Sequence, residues 1–131
     1  MLRNIIAWVA TAVAFAGIDF IWLTNAQGLY RPALDEVLSP TVNFSAAIAF
    51  YLIYITGVTV MAVLPTGSLR AAAGKGAMLG CFAYATYDLT NQATLKVWYT
   101  HITVADIAWG TFLTASAAAI GWLVASRIPS R

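Results

Sequence analysis

Four apolar runs, each about as long as a bilayer is thick, constrain this chain more than any other feature. They occupy residues 4–24, 44–64, 70–95 and 104–126, with short polar connections between them. A spanning helix needs about 20 apolar residues, whereas a spanning strand needs about 10 of alternating polarity. Inside hydrocarbon every backbone N–H and C=O must be bonded, and long runs without alternation meet that demand only as helices. Composition agrees. The 131 residues are 61% hydrophobic and 9% charged, and a soluble domain carries about 25% charged residues. The expectation is a single integral-membrane domain over residues 1–131, an all-α antiparallel bundle of four transmembrane helices.

The connections refine this picture. The start, Met-Leu-Arg and an apolar run, looks like a secretory signal, but the run continues past Ala14-Phe15-Ala16 and reads as a retained anchor. Residues 25–43 form the only long polar connection. Within it, Tyr30 to Pro40 reads as a short interfacial helix after helix 1, opened by Pro32 and stopped by Ser39-Pro40, with Asp35 and Glu36 toward water. Pro65-Thr-Gly67 ends the second run, and Trp98 and Tyr99 suit the interface between the third and fourth. With both termini inside, the cytoplasmic side holds Arg3, Arg70, Lys75, Arg127 and Arg131, against Arg31 and Lys96 outside. The positive-inside rule therefore predicts cytoplasmic termini.

Three acids interrupt the apolar runs: Asp19, Asp88 and Asp106. An up-and-down topology brings all three to a similar depth in the outer half of the membrane. Ionised carboxylates at the centre of a spanning helix cost about 2.5–3.5 kcal/mol on insertion scales, so they usually face a partner, trapped water or the interior of a bundle. Tyr84, Asp88, Asn91 and Gln92 fall on one helical face, beside Tyr87. Asp19 and Trp22 share the pattern D-x-x-W-x-T with Asp106 and Trp109, which puts each indole beside its own aspartate. Small residues follow the same faces: Gly76 and Gly80 in the third run, and Gly110, Thr114, Ala117 and Gly121 in the fourth. Such faces let helix backbones approach closely in lipid. The acids should therefore point inward.

Several chemistries are disfavoured. A net charge of +2 with scattered basic residues does not make a nucleic-acid surface. Cys81 is the single cysteine and His101 the single histidine, so neither a cysteine zinc site nor a Glu/His di-iron site can be built. Ca²⁺ asks for more oxygens in a loop-like spacing, so no metal and no cofactor is indicated. No Ser–His or Cys–His pair is suggested. Two readings of the acids stay open. They are a hydrogen-bonded lock between helices, or a site where Asp and Tyr hold a ligand or relay protons to it.

With these residues in view, the chain resembles a bacterial inner-membrane family, domain of unknown function 2177. The resemblance rests on Asp19-x-x-Trp22 with Tyr30, the tyrosine-rich second run through Leu64-Pro65, Tyr87-Asp-Leu-Thr-Asn91 with Ala93-Thr-Leu95 and Trp98, and Asp106-x-x-Trp109-Gly110. It implies a four-helix protein of the bacterial inner membrane, and genes for lipid modification near those of its members point to lipid as ligand or substrate. The leading expectation is a binding or transport-like protein whose outward-facing pocket takes a lipid-like or small polar ligand. Alternatives are an accessory subunit of a larger membrane complex, or a lipid-modifying enzyme using the carboxylates. Partners on these readings are the bilayer, a lipid-like ligand, and a second copy or larger complex.

Overall fold

The computed structural model describes residues 1–129, and Arg131, counted above among the cytoplasmic charges, lies outside them. Five helices and no strands form among the described residues: α1 (Leu2–Asn25), α2 (Gln27–Leu34), α3 (Phe44–Val58), α4 (Leu69–Thr94) and α5 (Thr100–Ala125). α3 runs on through a π-helical turn, Thr59–Val63, closed by the Leu64 amide donating to the Thr59 carbonyl at 2.9 Å. α1, α3 with its π turn, and α5 are long and apolar enough to cross a membrane. α4 matches them in length at 26 residues, but its glycines and polar groups lower its apolar content.

Helix starts follow ordinary capping chemistry. The Asn43 side chain accepts from the Ala46 amide, and that of Ser68 accepts from the Ala71 amide, each at 3.1 Å. The short helix after α1 forms earlier than Pro32 and Ser39-Pro40 suggest. It follows α1 after Ala26 alone and ends at Leu34, with Pro32 inside it. Tertiary packing explains the shift. Leu29, Tyr30, Ala33 and Leu34 share one face, and they pack on Trp98 and Ile102. Past Leu34 the exposed Asp35 and Glu36 offer no such anchor. Trp98 also departs from its interfacial reading. It turns inward, where its indole N–H donates to Thr103 at 2.9 Å and Tyr87 meets it edge to face. α5 consequently begins at Thr100, four residues before the fourth run was expected to start.

α5 is the helix the others gather on. α4 packs antiparallel along it, with Gly76 against Thr114 and Ala118, Gly80 against Gly110 and Thr114, and the Tyr84 ring over Gly110. A methyl group on Gly76 would stand 2.7 Å from the Thr114 carbonyl oxygen and 2.8 Å from the Ala118 Cβ. α1 lies antiparallel on another face of α5, where Gly121 gives way to Thr11. α3 packs on α1 through Phe15, whose ring meets Tyr51 and Tyr54 edge to face at 5.8 and 5.4 Å. It reaches α4 and α5 chiefly through the π turn.

The core is stacked in three layers along the helices. Ala7, Val58, Ala62, Val63, Ala118 and Ala125 form one end; Phe15, Ile55, Leu113 and Ala117 the middle; and Ala33, Trp98 and Ile102 the end under α2. The outer surface is apolar too. Val13 is 68% exposed and Ile53 74%, and water does not tolerate a belt of such residues over a whole molecule. Lipid does.

Candidate functional site

The polar residues of the apolar helices meet at the α2 end, in the space between the middle and upper core layers. α1 runs toward that end and brings Asp19 and Trp22 there. α5 starts from it and supplies Asp106 and Trp109. Because the two helices are antiparallel, the repeated D-x-x-W turns face each other, and Trp22 stacks flat on Trp109 with centroids 4.4 Å apart and an interplanar angle of 7°.

The hydrogen bonds cross between the turns. The Trp109 indole donates to Asp19 Oδ1 at 3.4 Å, and Tyr51 of α3 donates to Asp19 Oδ2 at 2.9 Å. The Trp22 indole donates to the Tyr30 hydroxyl at 2.9 Å, and Tyr30 in turn donates to Asp106 Oδ1. Each tryptophan thus serves the aspartate of the other helix, Trp109 directly and Trp22 through α2. Burial first, and then the neighbouring Asp106, push the Tyr30 phenol up, so it stays a donor. The two threonines of the repeat play no part here. Thr24 and Thr111 donate back to their own helices' carbonyls.

Asp88 is the exception among the acids. It is 0% exposed, and neither carboxylate oxygen has a hydrogen-bond partner among the described residues. Its carboxyl faces that of Asp106 without meeting the geometry of a hydrogen bond. One turn further along α4, Gln92 donates from Nε2 to Thr100 at 3.0 Å, while its buried Oε1 is also unpartnered. Buried polar atoms are nearly always bonded, so three unpartnered acceptors on two neighbouring turns of α4 call for a physical reason. No group of three His, Cys, Asp or Glu among the described residues is arranged to hold a metal ion.

These groups border a cavity of about 610 Å³. Its polar wall is Asp19, Asp106 and Tyr30; Trp22, Trp109, Tyr84 and Tyr87 form its aromatic wall; and Gln27 and Arg31 of α2 stand at its rim. A second cavity of about 340 Å³ lies between α3 and α4, walled by Phe50, Tyr54, Ala83, Tyr84 and Tyr87. Asp106 borders both. Asn91 lines neither, and Asp88 sits behind Asp106 rather than on a wall.

A family model described as a predicted membrane protein, DUF2177, matches residues 4–123. The chain belongs to the DUF2177 family. No curated protein and no solved structure matches it. The DUF2177 match runs from the first turn of α1 almost to the end of α5, and takes in every residue named above for the site.

Two partners in this DUF2177 site, Tyr51 and Tyr30, are not among the site residues that helical spacing selects. The tyrosine-rich second run was the available signal for Tyr51, and for Tyr30 it was the family resemblance, which groups it with Asp19-x-x-Trp22. Tyr30→Phe removes the hydroxyl that joins Trp22 to Asp106 and α2 to α5. It is expected to lower stability by about 1.5–3 kcal/mol, the range for a hydrogen bond to a charged acceptor. Limited proteolysis between Asp35 and Val42 should then run faster than in the unaltered protein, and an unchanged rate would mean that α2 is held by its apolar face alone.

Proposed function

We propose that this protein is a four-span membrane protein that binds a lipid-like or small polar molecule in a pocket facing outward near one membrane surface. α4 is the fourth span on this reading. It is 26 residues long, about 39 Å at 1.5 Å per residue, and it lies beside α5 from Gly76 to Gln92, so a membrane crossed by α5 is crossed by α4 as well. Arg3, Arg70, Lys75 and Arg127 belong to the end away from α2, and Arg31 and Lys96 to the α2 end. That asymmetry supports cytoplasmic termini in a bacterial inner membrane and an outward-facing site.

The observation that carries the binding role is the 610 Å³ cavity with Asp19 and Asp106 on its wall, each held by donors from neighbouring helices, Tyr30, Tyr51 and Trp109. Binding sites are commonly concave and largely apolar, with a few fixed polar groups. A lock between helices needs the hydrogen bonds but not the empty space beside them.

The test is to purify the protein in mild nonionic detergent, extract it, and quantify small molecules retained per mole. One species near a 1:1 ratio is expected, reduced about tenfold or more in Asp106→Asn, the effect of losing a hydrogen bond to a charged group. The same lipids in the same amounts on both proteins would defeat the proposal.

A further inference from the structure

The two cavities and the unpartnered acceptors narrow the ligand's chemistry, an inference that rests on the binding reading above. The donors that touch the carboxylates are already committed. Tyr51 and Trp109 donate to Asp19, Tyr30 to Asp106, and Trp22 to Tyr30. The nearby Trp98 indole donates to Thr103, and the Gln92 amide donates to Thr100. The buried atoms left over are acceptors, both oxygens of Asp88 and Oε1 of Gln92; the other donors of the cavity wall are Gln27 and Arg31, exposed on α2, and the hydroxyls of Tyr84 and Tyr87, which also accept. A phosphate or a fatty carboxylate brought to Asp106 would set acceptor against acceptor and charge against like charge. A neutral alcohol would supply one donor. An ammonium supplies three, carries the opposite charge, and is further favoured by the faces of Trp22, Trp109 and Tyr84.

The second cavity shows where the rest of the ligand runs. α3 and α4 pack scarcely at all above the π turn, and the rings of Tyr54 and Tyr84 meet across the gap at 6.5 Å. The slot between them has Asp106 on its wall and Phe50, Tyr54, Ala83 and Tyr87 around it. Phe50 and Tyr87, which line it, are themselves about half exposed, so the slot opens on the apolar outer surface. A polar solute would have no use for such a passage. An aliphatic chain would.

We infer that the site takes an amine on an aliphatic chain, its ammonium at Asp106 and its chain leaving through the slot between α3 and α4. The shared chemistry covers a free long-chain amine and the headgroup of an amine-bearing phospholipid.

Binding of dodecylamine, dodecanol and dodecanoate to the full chain tests this, at equal mole fraction in nonionic micelles and with calorimetry as the readout. Dodecylamine should bind near 1:1 and about tenfold or more tighter than the other two. Asp106→Asn should erase that preference, whereas Glu36→Gln, an exposed acid away from the cavity, should leave it intact. Ala83→Trp fills the slot, and should weaken dodecylamine about tenfold while leaving butylamine unaffected. Competition by phosphatidylethanolamine would name a lipid source, and its failure a free amine.

If alcohol and amine bind equally and Asp106→Asn weakens both, the amine inference falls and the binding reading stands. An amine preference that survives Asp106→Asn would be general attraction to the protein, and the inference falls again. If none of the three binds and nothing is retained on purification, both fall. The comparison of the three probes on the unaltered chain needs no variant to fold.

Discussion

Gly80→Ala is expected to destabilise the protein by about 2–3 kcal/mol, at the upper end of what one added methyl group does in a packed interior. The new Cβ would overlap the Gly110 carbonyl oxygen and stand 2.7 Å from the Thr114 hydroxyl. The first obstacle is backbone, so no rotamer change relieves it, and α4 and α5 must move apart along their longest contact. In lipid that separation is not opposed by water, and close van der Waals packing is what holds such helices together. Gly74→Ala, on the same helix but with nothing within 4 Å of its Cβ, is expected to be neutral or to add up to about 1 kcal/mol. Unfolding of the two variants in mixed micelles with increasing dodecyl sulfate checks the difference. Equal midpoints would mean that α4 does not sit on α5 at Gly80. Gly110→Ala is the informative intermediate, because the group in its way is the Tyr84 ring, which can swing toward the cavity.

The helices were legible in the sequence because their signal is local: long apolar runs, and Pro65-Thr-Gly67 behind one of them. α2 was legible as a helix but misplaced. Pro32 and Ser39-Pro40 are genuine boundary signals, yet Leu29, Tyr30, Ala33 and Leu34 gain more by covering Trp98 and Ile102 than the chain loses by enclosing a proline. Trp98 shows the same override from the other side, since a tryptophan in a short connection reads as an interfacial anchor until a partner buries it. The π turn at Thr59–Val63 had no signal among its residues.

The site divides along the same line. Helical periodicity identifies Asp19, Asp88 and Asp106 as anomalies, and topology puts them at one depth. Periodicity compares residues within one helix, however, and the partners came from others. Tyr30 is 76 residues from Asp106, and Tyr51 is 32 from Asp19. The D-x-x-W repeat was visible, and its local reading paired each indole with its own aspartate. The antiparallel contact of α1 and α5 exchanges those partners, through the stack of Trp22 on Trp109. No spacing rule within either motif could have given the exchange.

Asp88→Asn separates the two readings of the acids, because they predict changes of opposite sign. A structural lock loses a member when this carboxyl is altered, so stability falls. The geometry offers at most a weak lock at this position: Asp88 is fully buried, no donor side chain meets its oxygens, and the group it faces is another acid, Asp106. An amide of the same size removes one of two facing acids and adds an N–H that Asp106 can accept. Relieving an unsatisfied buried group in this way recovers about 1 kcal/mol or more. Asp88→Asn is therefore expected to fold at least as stably as the unaltered chain, with a gain of about 1 kcal/mol. On the binding reading it should also retain about tenfold less ligand, since a negative charge is lost behind Asp106 and Asp106 itself turns to the new N–H. Functional sites are where proteins keep groups that weaken the fold, and stabilising them generally costs activity. Both numbers come from one detergent-solubilised sample, by unfolding midpoint and by retained ligand per mole. A variant that loses more than about 1 kcal/mol would return Asp88 to the framework of the fold, and one that is stabilised yet binds normally would move the ligand away from this end of α4.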